Sequence, residues 1–221
     1  INKKNIFTGV QIFVQGLIKK VLFADNLAVF VDDVFEGIAI YDSLTIWMAV
    51  ICYSLQIFCD FSGYSDMAIG LARILGFKLP LNFNMPYLSK NLTEFWKRWH
   101  ISLSSWLKDY LYISLGGNRN GLIKQNLNLI ITMFLGGLWH GASWNFIIWG
   151  LIHGFGLIVH KRFLQSRFSK INNLVSQIFY WFITYFAVCI AWVFFRSQNI
   201  NSSIEVLYKM IYFSNGVSWF Y

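Results

Sequence analysis

Four histidines occur in these 221 residues, and one of them, His140, stands where an imidazole is expensive. It closes the run Leu127-Asn-Leu-Ile-Ile-Thr-Met-Phe-Leu-Gly-Gly-Leu-Trp-His140, and a second largely apolar run, Gly141-Ala-Ser-Trp-Asn-Phe-Ile-Ile-Trp-Gly-Leu-Ile-His153, follows at once. No formally charged residue lies between Lys124 and Lys161. An ionisable side chain at bilayer depth is a functional-site hypothesis by default. Burial keeps an imidazole neutral, which suits it to take a proton as a general base. Gly141, Ala142 and Ser143 are small and leave space beside it. The plain alternative is a packed histidine bonded to a backbone carbonyl.

The other three histidines read differently. His100 falls at the edge of the apolar face of a predicted amphipathic helix, pointing toward protein. His153 follows His140 by thirteen residues, ~220° around an unbroken helix. The two share a pocket only if the glycine-rich turn interrupts that helix. His160 adjoins Lys161 and reads as solvated.

Composition sets the environment. The chain is 57% hydrophobic, 19% aromatic and only 13% charged, against about 25% charged in a soluble domain. A mean hydropathy of +0.51 points to a polytopic membrane protein, and its many Trp, Tyr and Phe suit interfacial belts. The net charge of +8 does not indicate nucleic acid, because the basic residues cluster beside apolar spans, as the positive-inside rule expects. Cys52, Cys59 and Cys189 have no metal-like spacing and read as small hydrophobes. The start at Ile1 and the end in Trp219-Phe-Tyr221 suggest a piece of a longer polytopic protein.

Along the chain, Ile6 to Phe23 is a short first apolar segment interrupted by Lys19 and Lys20. Residues 24 to 43 hold five acids and no Lys or Arg, the profile of a non-cytoplasmic loop. Leu44 to Cys59 is apolar, and Asp60-Phe-Ser-Gly-Tyr-Ser-Asp66 then predicts a broken or re-entrant segment, tolerated only inside protein or along a cavity. Pro80 and Pro86 bracket a turn-rich connection. Asn91-Leu-Thr-Glu94 reads as a capping box opening one amphipathic interfacial helix over Leu92 to Ile113, with Phe95, Trp96, Trp99, Leu103, Trp106, Leu107 and Tyr110 on its apolar face. Gly116-Gly117-Asn118 ends it. Residues 122 to 140 and 143 to 160 are of spanning length, with Gly137/Gly141 and Gly150/Gly154 spaced for close helix approach. Lys161, Arg162, Arg167 and Lys170 mark a cytoplasmic loop. Leu174 to Phe195 is a further span, and Ile204 to Phe213 begins a last one. In this topology residues 90 to 124 and 161 to 170 face the cytoplasm, and 24 to 43 and 196 to 203 the other side. His140 then lies ~24 Å along a helix from Lys124.

Several chemistries are excluded. There is no Gly-x-Ser-x-Gly elbow and no His-Glu-x-x-His or Cys-x-x-Cys. No His is followed five residues later by Asp, as in soluble-type glycerolipid acyltransferases. Gly116-Gly-Asn-Arg119 lacks the Lys-Ser/Thr of a phosphate loop. No metal set is expected.

Three stretches carry a resemblance. Phe95-Trp-Lys-Arg-Trp-His-Ile-Ser-Leu-Ser-Ser-Trp-Leu-Lys-Asp-Tyr-Leu-Tyr-Ile-Ser-Leu-Gly-Gly-Asn-Arg119 resembles the signature of the membrane-bound O-acyltransferase family. So do Leu135-Gly-Gly-Leu-Trp-His-Gly-Ala-Ser-Trp-Asn-Phe-Ile-Ile-Trp-Gly-Leu-Ile-His-Gly154 and Gln56-Ile-Phe-Cys-Asp-Phe-Ser-Gly-Tyr-Ser-Asp-Met-Ala-Ile-Gly70. The alginate O-acetyltransferase branch, which includes peptidoglycan and exopolysaccharide O-acetylation proteins, is the nearest look-alike, and the D-alanyl-transferring teichoic-acid branch shares its architecture.

The resemblance implies an all-α polytopic fold over residues 1–221, with re-entrant and interfacial helices around a tunnel, in a bacterial cytoplasmic membrane. Members are about twice as long, so this would be one domain lacking N-terminal spans and some C-terminal residues. His140 matches the family's catalytic histidine and His100 its second histidine. The donor would be a cytoplasmic thioester, acetyl-CoA, and no bound cofactor is implied. The acetyl group would pass outward to a polysaccharide or peptidoglycan acceptor through a periplasmic or extracellular acetyltransferase or esterase-like partner protein, with membrane lipid around the spans and no role for nucleic acid. Trp99, Ser104, Trp106, Trp139, Ser143, Trp144 and Asn145 could line the tunnel or merely pack. Lys97, Arg98, Lys108, Arg119 and Lys124 could attract an anionic donor or simply anchor the cytoplasmic face. D-alanyl transfer, a histidine-relay transporter and a non-catalytic scaffold are the competing readings.

Overall fold

The computed structural model describes residues 2–164, 173–213 and 215–219. Lys3–Ile18 (α1) runs through a π-helical turn, Lys19–Ala24, into Asp25–Glu36 (α2). Ser43–Ile74 (α3) follows, then Leu92–Arg98 (α4), Ile101–Trp106 (α5) continued by a π-helical turn Leu107–Tyr112, Gly121–Trp139 (α6), Trp144–Leu164 (α7), Leu174–Arg196 (α8) and Ile200–Ile211 (α9). Among the described residues, four helices are long and apolar enough to cross a membrane: Lys3–Glu36, Ser43–Ile74, Trp144–Leu164 and Leu174–Arg196. Contacts group the chain into two compact units, one of the described residues up to Asn82 with those from Ile204 onward, the other Phe83–Ser203.

In the first unit, α1 and α3 pack antiparallel through glycines. A Cβ on Gly16 would stand 2.5 Å from the Gly63 carbonyl oxygen, and one on Gly9 2.7 Å from that of Gly70. Two departures from the sequence reading fall in this unit. The first helix does not stop near Phe23: Asp25, Asp32, Asp33 and Glu36 lie on its continuation α2 rather than in a loop, and Asp42 alone of the five acids sits in the connection, capping α3 by accepting from the Thr45 N–H at 2.8 Å. Nor does Asp60–Asp66 break α3, which is one helix of 32 residues. The two carboxylates that suggested a break are neutralised from the facing helix, Lys20 pairing with Asp60 and Asp25 at 2.6 and 2.7 Å and Lys19 with Asp66 at 2.6 Å. Charges in apolar surroundings persist when paired in this way, and Gly63 between them is needed for contact, not for a turn.

The segment expected to begin a last span is instead α9, 12 residues long, ~18 Å and too short to cross. It supplies a pin. Buried Lys209 donates to the carbonyls of Ile38, Ala39 and Tyr41 at 2.7, 3.0 and 2.7 Å, satisfying the chain just beyond α2. Replacing it with Met leaves three carbonyls without this donor and should cost about 2–4 kcal/mol. Thermal unfolding of the Lys209→Met protein in detergent should show a melting point several degrees lower; an unchanged one would mean the carbonyls find other donors.

In the second unit, α6 and α7 form an antiparallel pair as tight as α1 and α3. Gly137 and Gly150 face each other, each with its missing Cβ directed at backbone of the other helix. The expected small-residue contact is therefore real, but it pairs Gly137 with Gly150; Gly141 instead turns the chain, at φ 151°. α6 is not among the spanning-capable helices, contrary to expectation, because polar residues interrupt its apolar run: Gln125, Asn128 and Thr132 are buried, and Asn128 Nδ2 donates to the Gly117 carbonyl at 3.1 Å. α8 lies against α7, Asn145 Nδ2 donating to the Ser197 carbonyl at 2.8 Å. Among the basic residues expected after α7, Arg167 and Lys170 lie outside the described residues.

Candidate active site

Asn91 caps α4, accepting from the Glu94 N–H at 2.7 Å. The box closes one residue earlier than expected, since the Glu94 carboxylate accepts from the Lys90 N–H at 3.0 Å. The same carboxylate pairs with Arg98 at 2.7 Å. The helix expected to run from Leu92 to Ile113 is broken at Trp99–His100. Trp99 is extended and His100 adopts φ 42°, ψ 57°, a left-handed conformation that costs a non-glycine residue energy and tends to occur at functional sites. The break is held by Ser104, whose hydroxyl donates to the Trp99 carbonyl at 2.9 Å. Trp99 is buried among Phe83, Tyr87, Phe95 and Trp192.

His100, half-buried, lies over Phe83, and its Nδ1 is 3.3 Å from the Ser102 hydroxyl. Burial lowers its tendency to protonate. His140 caps α6, its N–H donating to the Gly137 carbonyl at 3.0 Å. Its ring is boxed by Phe195, Trp139, Trp149 and Phe146, with centroids 4.9, 5.0, 5.2 and 6.0 Å away. His140 lies in the turn between α6 and α7, outside the spanning-capable helices. Burial pushes its imidazole below the ordinary histidine range, and His100 is near enough that a charge there lowers it further. A neutral imidazole at this place is a competent base or acyl carrier.

A cavity of about 530 Å³ opens beside this framework. Lys97, Lys108 and Lys161 supply cationic groups to its wall, Thr93, Ser104, Ser105 and His160 hydroxyls and an imidazole, and Trp96, Leu107 and Met133 apolar surface. Lys97, Lys108 and Ser104 were expected at a site. Lys161 had been read only as a topology mark, and Thr93 not at all. His160 is not solvated as expected: it is half-buried, with Nδ1 2.8 Å from the Thr93 hydroxyl. Sequence spacing could have brought Lys161 forward only with knowledge that α4 packs on α7, where Leu92 meets Gly156.

The remaining expected site residues disperse. Trp106 and Trp139 line a second, wholly apolar cavity of about 380 Å³ with Leu103, Leu111 and Leu135, which shares Leu107 with the first. Trp144 is exposed at the start of α7. The Ser143 hydroxyl is 3.3 Å from the Asn145 N–H that donates to it. Arg98 is held by Glu94 and the Asn84 carbonyl, and Arg119 and Lys124 are exposed. The break at His140–Ser143 also brings His153 within reach. Its ring is 4.9 Å from that of Trp149, which is 5.2 Å from that of His140.

A helical membrane unit with two near histidines and a lysine-lined cavity is the setting in which the comparison with known proteins becomes decisive. The family model described as MBOAT, membrane-bound O-acyltransferase family, matches residues 2–204. The chain belongs to the membrane-bound O-acyltransferase family. Relatives include a peptidoglycan O-acetyltransferase of Helicobacter pylori, 47% identical over 99% of this chain and 41% of its own length. A probable alginate O-acetylase AlgI of Azotobacter vinelandii is 46% identical over 94% of the chain and 40% of its own length. A teichoic acid D-alanyltransferase of Bacillus subtilis is 34% identical over 67% of the chain. The chain spans about two-fifths of the length of the first two. Its helical make-up fits this family membership, and the motif resemblance at Phe95–Arg119 and Leu135–Gly154 belongs to it.

Proposed function

We propose that the protein carrying this chain is an O-acyltransferase of a bacterial cytoplasmic membrane, moving an acetyl group from a thioester donor, acetyl-CoA, to a cell-envelope polysaccharide or peptidoglycan. The observation that carries this reading is the cavity lined by Lys97, Lys108 and Lys161 in the same compact unit as His100 and His140, in a chain of the membrane-bound O-acyltransferase family. Lysines lining a largely apolar cavity suit a donor that is anionic at one end and neutral at its thioester. The excess of Lys and Arg on this segment supports a cytoplasmic entry to the cavity. His140, neutral in its aromatic box, activates the attacking group or carries the acetyl between donor and acceptor, and His100 works beside it. The names of the relatives favour acetyl over D-alanyl transfer, since the acetyl-transferring ones cover more of the chain at higher identity. Outward delivery uses an esterase-like partner.

The test is transfer of label from acetyl-CoA to envelope polymer by the full-length protein in proteoliposomes, with the partner present. Labelled polymer supports the reading; solute flux without any thioester, and no labelled polymer, would overturn it. The triple variant Lys97→Gln, Lys108→Gln, Lys161→Gln should raise KM for acetyl-CoA about tenfold, at ~0.5 kcal/mol for each partly exposed charge, with kcat within a factor of about two. Raising the salt concentration should weaken the wild type in the same direction and the variant much less.

A further inference from the structure

One face of α7 presents Asn145, Trp149 and His153, each about one helical turn from the next. They are 2, 2 and 0% exposed. Facing them from α4 is Trp96, whose ring lies 5.1 Å from that of His153 and 5.8 Å from that of Trp149. Phe95 stacks on the other side of His153 at 5.9 Å. Asn145 Oδ1, Trp149 Nε1, Trp96 Nε1 and both ring nitrogens of His153 are buried with no hydrogen-bond partner among the described residues. Burying polar atoms in this way is unfavourable, and an apolar ring at 153 would avoid it. Packing alone therefore gives no reason for a histidine here.

The position of this seam supplies a reason. Trp96 is also in the wall of the lysine-lined cavity, and Trp149 is the ring against His140. The seam thus joins the cavity to His140 through His153. From Lys161 to Trp149 is twelve residues of α7, ~18 Å, a span that the extended, amide-containing arm of a coenzyme A-type thioester matches. Each amide in such an arm offers one N–H and one carbonyl. A neutral imidazole offers the complementary donor and acceptor, the two indoles offer donors and Asn145 an acceptor.

We propose that His153 is a donor-binding residue, hydrogen-bonding an amide of the thioester arm as it reaches from the lysine-lined cavity to His140. This rests on the acyl-transfer reading above. The bond forms only when donor is bound, so His153 raises affinity for the arm and sets how far the thioester extends toward His140.

The experiment compares full-length wild type with His153→Phe, His153→Gln and His140→Ala. Each is measured for melting temperature without donor and for kcat and KM with acetyl-CoA. His153→Phe should melt at or above the wild-type temperature, yet lose at least tenfold in kcat/KM with a raised KM. His153→Gln, which keeps a donor and an acceptor, should recover much of that loss. Wild-type kcat/KM in His153→Phe, alongside an inactive His140→Ala, would overturn this inference and leave acyl transfer standing. Failure of His153→Phe to fold would also overturn it, because a polarity needed only for the donor is dispensable without it. An inactive wild type, or a fully active His140→Ala, would instead overturn the acyl-transfer reading itself.

Discussion

His140→Ala should lower acyl transfer by about 10²–10⁴-fold, the range a positioned proton-transfer group contributes, while the protein still inserts and folds. The second half of that expectation rests on the backbone. The turn after α6 is closed by the His140 and Gly141 N–H groups donating to the carbonyls of Gly137 and Leu138 at 3.0 and 3.2 Å. The positive φ of Gly141 fixes its exit. None of these uses the imidazole, and no hydrogen bond to the His140 ring is formed among the described residues. Removing the ring therefore removes chemistry and aromatic packing, not the turn. Transfer measured in a single turnover, beside yield and melting temperature in detergent, separates the two. Full activity in His140→Ala would sink the catalytic assignment.

Gly150→Val should be more damaging to the fold and nearly as damaging to transfer. A side chain at 150 is directed at the Met133 carbonyl, with the Gly137 Cα 3.4 Å from its Cβ. Both obstacles are α6 backbone, so no rotamer change relieves them and the helices must separate. α6 ends at His140, and α7 carries Trp149 and His153. Separation therefore moves the boxed imidazole relative to its own wall, and a displacement of about 1 Å can cost 10²-fold in rate. The expected result is reduced yield of folded protein and at least a hundredfold lower transfer by what remains. A variant with wild-type melting temperature and activity would show that the crossing tolerates a wider spacing.

Local signals were legible where they rest on neighbours in sequence. Asn91 capping α4, the turn at Gly116–Gly117, the proline-bounded connection and the spans at α7 and α8 all follow from capping, φ preferences and hydrophobic run length. The misreadings share a cause. Asp60 and Asp66 suggested a break because their partners Lys19 and Lys20 lie some forty residues away, and pattern along the chain cannot see a charge paired across a helix crossing. The acids of α2 suggested a loop because a helix that continues past the apolar core looks, in composition, like one that has ended. The single helix drawn over 92 to 113 failed because its break at His100 combines a local bond, the Ser104 hydroxyl on the Trp99 carbonyl, with a tertiary contact, the burial of Trp99 against α8. No glycine or proline announces it.

The sequence by itself determined the membrane class and the family, and it singled out His100 and His140 as candidates, because hydropathy and long contiguous motifs are properties of the chain read in order. What only the tertiary structure decided is which residues share a space. It grouped Lys161, Thr93 and His160 with Lys97 and Lys108, sent Trp106 and Trp139 to an apolar cavity, and brought His153 to within one indole of His140. The first depends on α4 lying against α7, the second on Leu107 lying against Gly136 and the third on the tight α6–α7 pair. The contact of α4 with α7, Leu92 on Gly156, joins residues far apart in the chain, and its energy comes from packing that no local pattern encodes.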